Sequence, residues 1–277
     1  MVREAGRRLR EAGVRSPEHD ARVLAEHVMG TSLVMCEGAD GEQVGRYLEL
    51  VERRAARVPL QHVMGMMWFR GLELEARPGV FIVRPETEVV AGAAIEAARA
   101  VASEEERAPV VVDLCTGSGA IALVVAVEVP TARVVAVEIA EDAVDLARDN
   151  CERHAPGRAR VVRADAAAPD TLAELDGRVD VVVSNPPYVP AGAVEDPETA
   201  RYDPHLALFG GGADGLELPT ALVRRAAVLL RPGGVLVMEH DARQGAALRE
   251  VALAVGFSEA TTGRDLTGRN RYLRARR

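Results

Sequence analysis

The chain contains no lysine: all 34 of its basic residues are arginine. A Walker-type phosphate loop, a Schiff-base mechanism and a lysine general base are excluded with it. The accompanying weight of Ala, Arg, Gly and Val points to coding bias as the origin. Cysteine is scarce as well. Cys36, Cys115 and Cys151 are odd in number and have no C-x-x-C spacing, so neither a disulfide framework nor a structural zinc site is expected, which suits a reducing cytoplasm. Long apolar runs are missing too. The longest uncharged one, Gly119 to Val127, falls far short of the ~20 residues that a spanning helix needs. Residues 1–15 carry Arg and Glu instead of an apolar signal core, so neither secretion nor a membrane location is expected.

What remains has the composition of an ordinary globular protein. Its 277 residues are 48% hydrophobic and 27% charged, enough for one large domain or two. The formal net charge of −8 argues against general nucleic-acid binding, because neutralising phosphates needs a basic surface.

The amino-terminal third reads as helical. Ser16 as N-cap and Pro17 at the first helical position predict a helix over 16–29 that Gly30 stops, with Ala21, Leu24, Ala25, Val28 and Met29 on one face. A helix over 41–57 is expected to bury Val44, Tyr47, Leu48 and Val51, and residues 2–12 form a third. His19 and His27 fall on polar sides and read as surface residues. From Pro59 to Val83 the periodicity changes. Residues 68–74 and 80–83 read as short strands around turns at Arg70-Gly71 and Pro78-Gly79, a hairpin that links two domains. Glu86 and Glu88 then precede an alanine-rich helix over about 88–102, where acidic residues favour the helix dipole.

The carboxyl-terminal half alternates strand and helix, the pattern of a parallel sheet with right-handed crossovers. Strands are expected at 110–114, 133–137, 160–163 and 179–183. Gly117 and Gly119 let the backbone after the first of these turn sharply beside a helix amino terminus. Glu138 ends the second, where it can accept hydrogen bonds from ribose hydroxyls, and Asp165, one strand further, can take an adenine amino group. This segment alone also fits G-x-G-x-x-A with an acidic residue at dinucleotide spacing, so it leaves NAD and adenosyl cofactors open. The fourth strand decides between them. It stops at Ser184-Asn185-Pro186-Pro187-Tyr188, where two prolines end the ladder stiffly. An amide side chain, free carbonyls and an aromatic ring are thereby held at a strand's carboxyl end. That motif has no role in an NAD-dependent oxidoreductase.

D-L-C-T-G-S-G-A-I-A-L (113–123), A-V-E-I (136–139) and S-N-P-P-Y-V-P (184–190) resemble the class I S-adenosylmethionine-dependent methyltransferases. More narrowly the chain resembles the HemK/PrmC group, the peptide chain release factor glutamine N5-methyltransferases. Pro59-Leu60-Gln61-His62 with Gly65 and Arg84-Pro85-Glu86-Thr87-Glu88 are similar to that family's linker. Asp203-Pro204, Ala207-Leu208, Gly211 and Asp214-Gly215 are similar to its loop after the motif. Glu239-His240, Gln244-Gly245, Arg264-Asp265 and Asn270-Arg271 are similar to its carboxyl end.

The resemblance implies an α/β, Rossmann-like, mostly parallel seven-stranded sheet with a small helical amino-terminal domain and a linking β-hairpin. It divides the chain into a substrate-docking domain over 1–57, a linker over 58–85 and a transfer domain over 86–277. It implies methyl transfer from S-adenosylmethionine to the glutamine amide nitrogen in the GGQ motif of class 1 release factors, by a cytoplasmic monomer that needs no metal. By the same resemblance Asn185 and the Pro186 carbonyl hold the substrate NH2, with Pro187 and Tyr188 against the planar amide. Cys115, Thr116, Gly117, Ser118 and Gly119 cradle the methionine end, Glu138 the ribose, and Asp165 with Ala166 the adenine; Asn185 also borders the cofactor. Val83, Cys115, Ala166, Phe209 and Asp241 depart from common family choices. Cys115 reads as a packed thiol, and Ala166 removes an aromatic that packs on adenine in some members. The alternatives are an adenine-N6 methyltransferase acting on DNA or RNA, and a cofactor-binding protein without turnover. Residues 189–218, rich in Pro, Gly and Asp and without periodicity, read as a lid or binding loop. His240 reads as a hydrogen-bonded structural histidine.

Overall fold

The computed structural model describes residues 1–193 and 196–277. These fall into two compact units. The first holds helices α1 (Val2–Glu11), α2 (Pro17–Met29), α3 (Gly41–Ala55) and α4 (Leu60–Met64). α2 follows Ser16 and ends at Gly30 as expected, although the Ser16 side chain makes no capping bond. A side-chain cap does form on α3. Asp40 accepts the Gln43 N–H at 2.8 Å, and Gln43 Oε1 accepts the Asp40 N–H at 3.0 Å. α3 buries Tyr47, Leu50, Val51 and Arg54 and leaves Leu48 exposed, contrary to expectation. The buried set follows the i, i+3, i+4, i+7 stripe, and Leu48 lies one position off it. The Tyr47 hydroxyl donates to the Ala21 carbonyl at 3.1 Å, and Arg54 pairs with buried Asp20 at 2.8 Å. His19 is exposed, and His27 is partly buried.

Strands β1 (Met66–Phe69) and β2 (Leu72–Glu75) form a hairpin through Arg70-Gly71, whose φ values of 46° and 79° have the signs of a type I′ turn. The expected strand at Val80–Val83 is not formed. Its alternation is real, with Val80 and Ile82 buried and Phe81 and Val83 partly so, but it reflects packing on neighbouring side chains and not ladder pairing. α4 also went unforeseen, since its five residues, Leu60–Met64, are too few to show a helical period.

The second unit begins its regular part with α5 (Thr87–Glu104), β3 (Val110–Leu114), α6 (Ala120–Glu128), β4 (Arg133–Glu138), α7 (Glu141–His154), β5 (Ala159–Arg163) and β6 (Val179–Ser184). Next in the chain come two short helices inside the segment expected to be irregular, α8 (Pro197–Tyr202) and α9 (His205–Leu208). Val194 and Glu195 of that segment lie outside the described residues. α8 belongs to the first unit, where Glu198 accepts hydrogen bonds from Arg54 at 3.0 Å and Arg57 at 2.7 Å. The second unit closes with α10 (Glu217–Leu229), β7 (Leu230–Glu239), α11 (Gly245–Ala254), β8 (Glu259–Arg264) and β9 (Asn270–Arg276).

Seven strands form one sheet in the order β5-β4-β3-β6-β7-β9-β8, the α/β architecture anticipated above. β3 to β7 run parallel, and β9 is antiparallel to β7 and β8. β6 is buried along its whole length, as a central strand covered on both faces must be. α6 is apolar all round and buried, so it packs as a core helix. From β3 the chain winds outward to β4 and β5, then returns to lay β6 on the other side of β3. The strand order therefore reverses between β3 and β6, and the crevice beyond the carboxyl ends of these strands is where ligands bind in such sheets.

Candidate active site

The loop after β3 is assembled by groups the sequence reading had not singled out for it. Asp113, fully buried near the end of β3, accepts the Thr116 hydroxyl and the Ala122 N–H. Burial pushes its carboxyl up to about 7, against the pull of those two donors. Asn150 on α7 donates to the Ser118 carbonyl at 3.0 Å and accepts the Glu75 N–H at 2.8 Å. Gly119, at φ 82°, stands so close to α7 that a Cβ there would lie 3.2 Å from Ala147 Cα, whereas a Cβ at Gly117 would meet nothing within 4 Å. The chain is thus packed hard behind Gly119 and open in front of Gly117. Cys115 holds φ 60° without being glycine, and burial together with the Glu138, Asp113 and Asp165 charges pushes its thiol up, as a packed, unreactive thiol requires.

Glu138 does more than the sequence indicated. One carboxylate oxygen accepts the Gly117 N–H at 2.9 Å; the other accepts the N–H groups of Ile139 at 2.9 Å and Ala140 at 3.0 Å. It ties the β3 loop to the β4 loop and uses three of its four lone-pair positions to do so.

A cavity of about 300 Å³ opens beside these groups. It gathers Cys115, Gly117, Glu138, Asp165, Ala166, Asn185 and Pro187 from the expected site. Thr116, Ser118, Gly119, Pro186 and Tyr188 do not line it. Thr116 and Ser118 are buried, the first turned onto Asp113 and the second held at its carbonyl by Asn150, so their work is to shape the loop. The sequence reading missed Phe81, Leu206 and Leu218, which supply apolar wall. Phe81 had been assigned to a strand, and the other two lie in or next to the segment that lacked periodicity. Asp165 is exposed at the rim and accepts the Ala167 N–H at 2.9 Å, while Ala166 is buried.

Asn185-Pro186-Pro187-Tyr188 is clamped from behind. Gln244 Nε2 donates to the carbonyls of Tyr188 at 2.9 Å and Asp214 at 2.8 Å. Val189 donates to the Leu208 carbonyl at 2.8 Å and accepts from Gly210 at 3.1 Å. Gly215, at φ 72°, passes so close that a Cβ would lie 2.3 Å from the Tyr188 carbonyl oxygen. Asn185 Nδ2 donates to Thr87 Oγ1 at 3.2 Å, and the Tyr188 hydroxyl donates to Glu239 at 3.0 Å. His240, next in sequence, is buried with its Nδ1 2.8 Å from the Asp241 carbonyl. Burial lowers its pKa, which agrees with a structural role. Among the described residues no helix is long and apolar enough to cross a membrane.

A seven-stranded sheet of this order, with a glycine loop after its first parallel strand and Asn-Pro-Pro-Tyr after its fourth, defines a Rossmann-like class I methyltransferase. Residues 1–65 match the family model described as PrmC N-terminal domain, and residues 72–201 that of the methyltransferase small domain. The chain is 44% identical over 288 residues to the release factor glutamine methyltransferase of Bifidobacterium longum, covering 99% of this chain and 97% of that one. It is 47% identical over 280 residues to the Streptomyces coelicolor protein of the same name, with 100% and 96% covered. Among solved structures, a T. thermophilus 16S rRNA methyltransferase in complex with AdoMet and guanosine is similar, with TM-score 0.52 and 26% identity over 76% of this chain and 49% of that one. The chain belongs to the release factor glutamine methyltransferase family.

Proposed function

We propose that this enzyme transfers the methyl group of S-adenosylmethionine to the side-chain amide nitrogen of the glutamine in the GGQ motif of class 1 release factors. The observation that carries the reading is that Asn185 borders the same cavity as Gly117 and Glu138. The names and full-length similarity of the relatives support the choice of substrate. The cavity is within the size range of small-molecule sites and mostly apolar, with its polar groups at Gly117, Glu138, Asp165 and Asn185, which suits an adenosyl cofactor. In this reading Cys115 and Gly117 flank its methionine end, on a loop that Thr116, Ser118 and Gly119 shape, Glu138 its ribose through the lone-pair position it has left, and Asp165 with Ala166 its adenine.

When bound, the cofactor supplies an electrophilic methyl on a sulfonium. The chain's task is to aim a weak nucleophile, since an amide lone pair is delocalised into its carbonyl. Asn185 gives its N–H to Thr87, which leaves its oxygen to accept one substrate N–H, and the Pro186 carbonyl accepts the other. Both acceptors favour the pyramidal, positively charged nitrogen of the transition state. The sulfonium would give up its methyl and keep the S–C electron pair, and the one amide proton displaced would pass to solvent, since Asn185 and the Pro186 carbonyl are acceptors too weak to keep it. Tyr188 packs against the planar amide. Residues 1–57 act in docking the protein substrate, 58–85 as linker and 86–277 in transfer, in a cytoplasmic monomer.

The test is label transfer from S-adenosylmethionine to a purified class 1 release factor, to its GGQ-glutamine mutant, and to DNA and RNA. Label is expected on the wild-type factor alone. Asn185→Ala should lower the rate by about 10²–10³-fold with cofactor binding kept. Removal of residues 1–57 should harm methylation of the whole factor far more than cofactor binding. Label on nucleic acid with none on the factor would sink the reading.

A further inference from the structure

Two residues outside Asn185-Pro186-Pro187-Tyr188 hold the working ends of that stretch. Thr87, the first residue of α5, and Glu239, the last of β7, are both fully buried. Thr87 Oγ1 donates to Glu239 Oε2 at 2.8 Å and accepts from Asn185 Nδ2 at 3.2 Å. The other Glu239 oxygen accepts the Tyr188 hydroxyl at 3.0 Å. One carboxylate thus controls Asn185 through Thr87 and Tyr188 directly, while the two prolines between them have no N–H to offer.

The direction of this chain follows from chemistry. An ionised carboxylate accepts hydrogen bonds and donates none. The Thr87 hydroxyl must therefore give its proton to Glu239 and turn a lone pair toward Asn185. Asn185 must in turn present its NH2, which sends its oxygen the other way.

We propose that Glu239 and Thr87 are positioning residues that orient Asn185 with its amide oxygen toward the substrate nitrogen, the ionised carboxylate setting the direction of the whole hydrogen-bond chain. This rests on the methyl-transfer reading above. Protonating Glu239 turns one of its oxygens into a donor, frees the Thr87 hydroxyl to rotate and lets the Asn185 amide flip. Burial raises the Glu239 carboxyl to about 7, opposed by the Thr87 and Tyr188 hydroxyls and by Arg271, and assisted by Glu86. Arg271 is itself held by Asp265 at 3.1 Å and lies 3.8 Å from Glu86. Orientation is therefore complete above about pH 7 and is lost as the pH falls through that value.

The variants Thr87→Val, Thr87→Ser and Glu239→Gln test this in the full-length enzyme. Thr87→Val keeps the volume and removes the relay; it leaves a buried Glu239 oxygen and the Asn185 N–H unpaired, so the melting temperature should fall, while in the folded enzyme kcat should drop about 10–100-fold with the cofactor Kd little changed. Thr87→Ser restores the hydroxyl and should stay within about threefold of wild type. The wild-type kcat should fall on the acid side of about pH 7, a limb that Glu239→Gln should lack at a lowered plateau. Thr87→Val at wild-type kcat, Thr87→Ser as poor as Thr87→Val, or an unchanged acid limb in Glu239→Gln would each overturn the proposal. A second measurement needs no turnover. In the free protein the Asn185 side-chain amide resonance should shift as Glu239 titrates, and this coupling should vanish in Thr87→Val. If the wild type labels no release factor, the functional reading fails while this titration still decides the relay. No coupled shift in the wild type overturns the relay.

Discussion

The two ends of the central sheet treat a buried carboxylate in opposite ways. At the amino end Asp180 of β6, with its side chain fully buried, pairs with Arg107 and Arg231 and accepts the Val110 N–H at 2.8 Å. Burial pushes its carboxyl up, but these partners bring it below its ordinary value. At the carboxyl end Glu239 and Asp113, equally buried, accept from hydroxyls and one backbone N–H and, among the described residues, pair with no cation. Both are raised to about 7. A guanidinium neutralises a carboxylate and settles its state. A hydroxyl orients it and leaves its charge adjustable. The amino end is built to stay ionised and closed, the carboxyl end to hold polar groups in defined directions beside a cavity.

The strongest test of this contrast is Gly215→Ala. Its Cβ cannot coexist with the Tyr188 carbonyl oxygen at 2.3 Å, so the Asn185-to-Tyr188 segment must shift. Methyl transfer should fall about 10²-fold, since an ångström of misplacement at reacting groups costs that order. A variant with native transfer would show that the motif needs no backing. Asp180→Ala should act in the opposite sense. It takes the buried partner from Arg107 and Arg231 and costs roughly 3 kcal/mol in denaturant unfolding, toward the low end for a buried pair because both arginines reach solvent and keep Glu105. The folded fraction should keep wild-type kcat; a large fall in kcat would dissolve the distinction between the ends.

Asp113→Asn sharpens the comparison through pH. The Asp113 carboxyl is raised in the folded state, so its contribution to stability is full below the unfolded value near 3.8 and is lost as pH rises through about 7. Between pH 5 and 8 the wild type should lose about 3 kcal/mol from this group, and the neutral variant should not. Melting temperatures of both proteins across that range would test it. Parallel curves would mean that Asp113 is not raised.

How much of this was legible in the chain depended on whether the signal was local. The strands at 110–114 and 179–183, the helix after Ser16, and the Gly117, Glu138 and Asn185 positions all announced themselves by apolar runs, caps and glycine or proline punctuation. Val80–Val83 misled because alternation reports a buried face and not a ladder partner. Thr116 and Ser118 sit inside a ligand-loop pattern, yet their orientation depends on Asp113 and Asn150, which lie up to 32 residues away.

The sequence by itself determined the class of sheet, the order of its motifs, and the family to which the chain belongs, because periodicity and short motifs are properties of neighbouring residues. Tertiary structure alone decided which motif residues face the cavity. It also brought Thr87, Asn185, Tyr188 and Glu239 into one hydrogen-bonded chain across separations of up to 152 residues. Hydrogen-bond direction depends on which donor meets which acceptor in space, and spacing along a chain carries no record of that meeting.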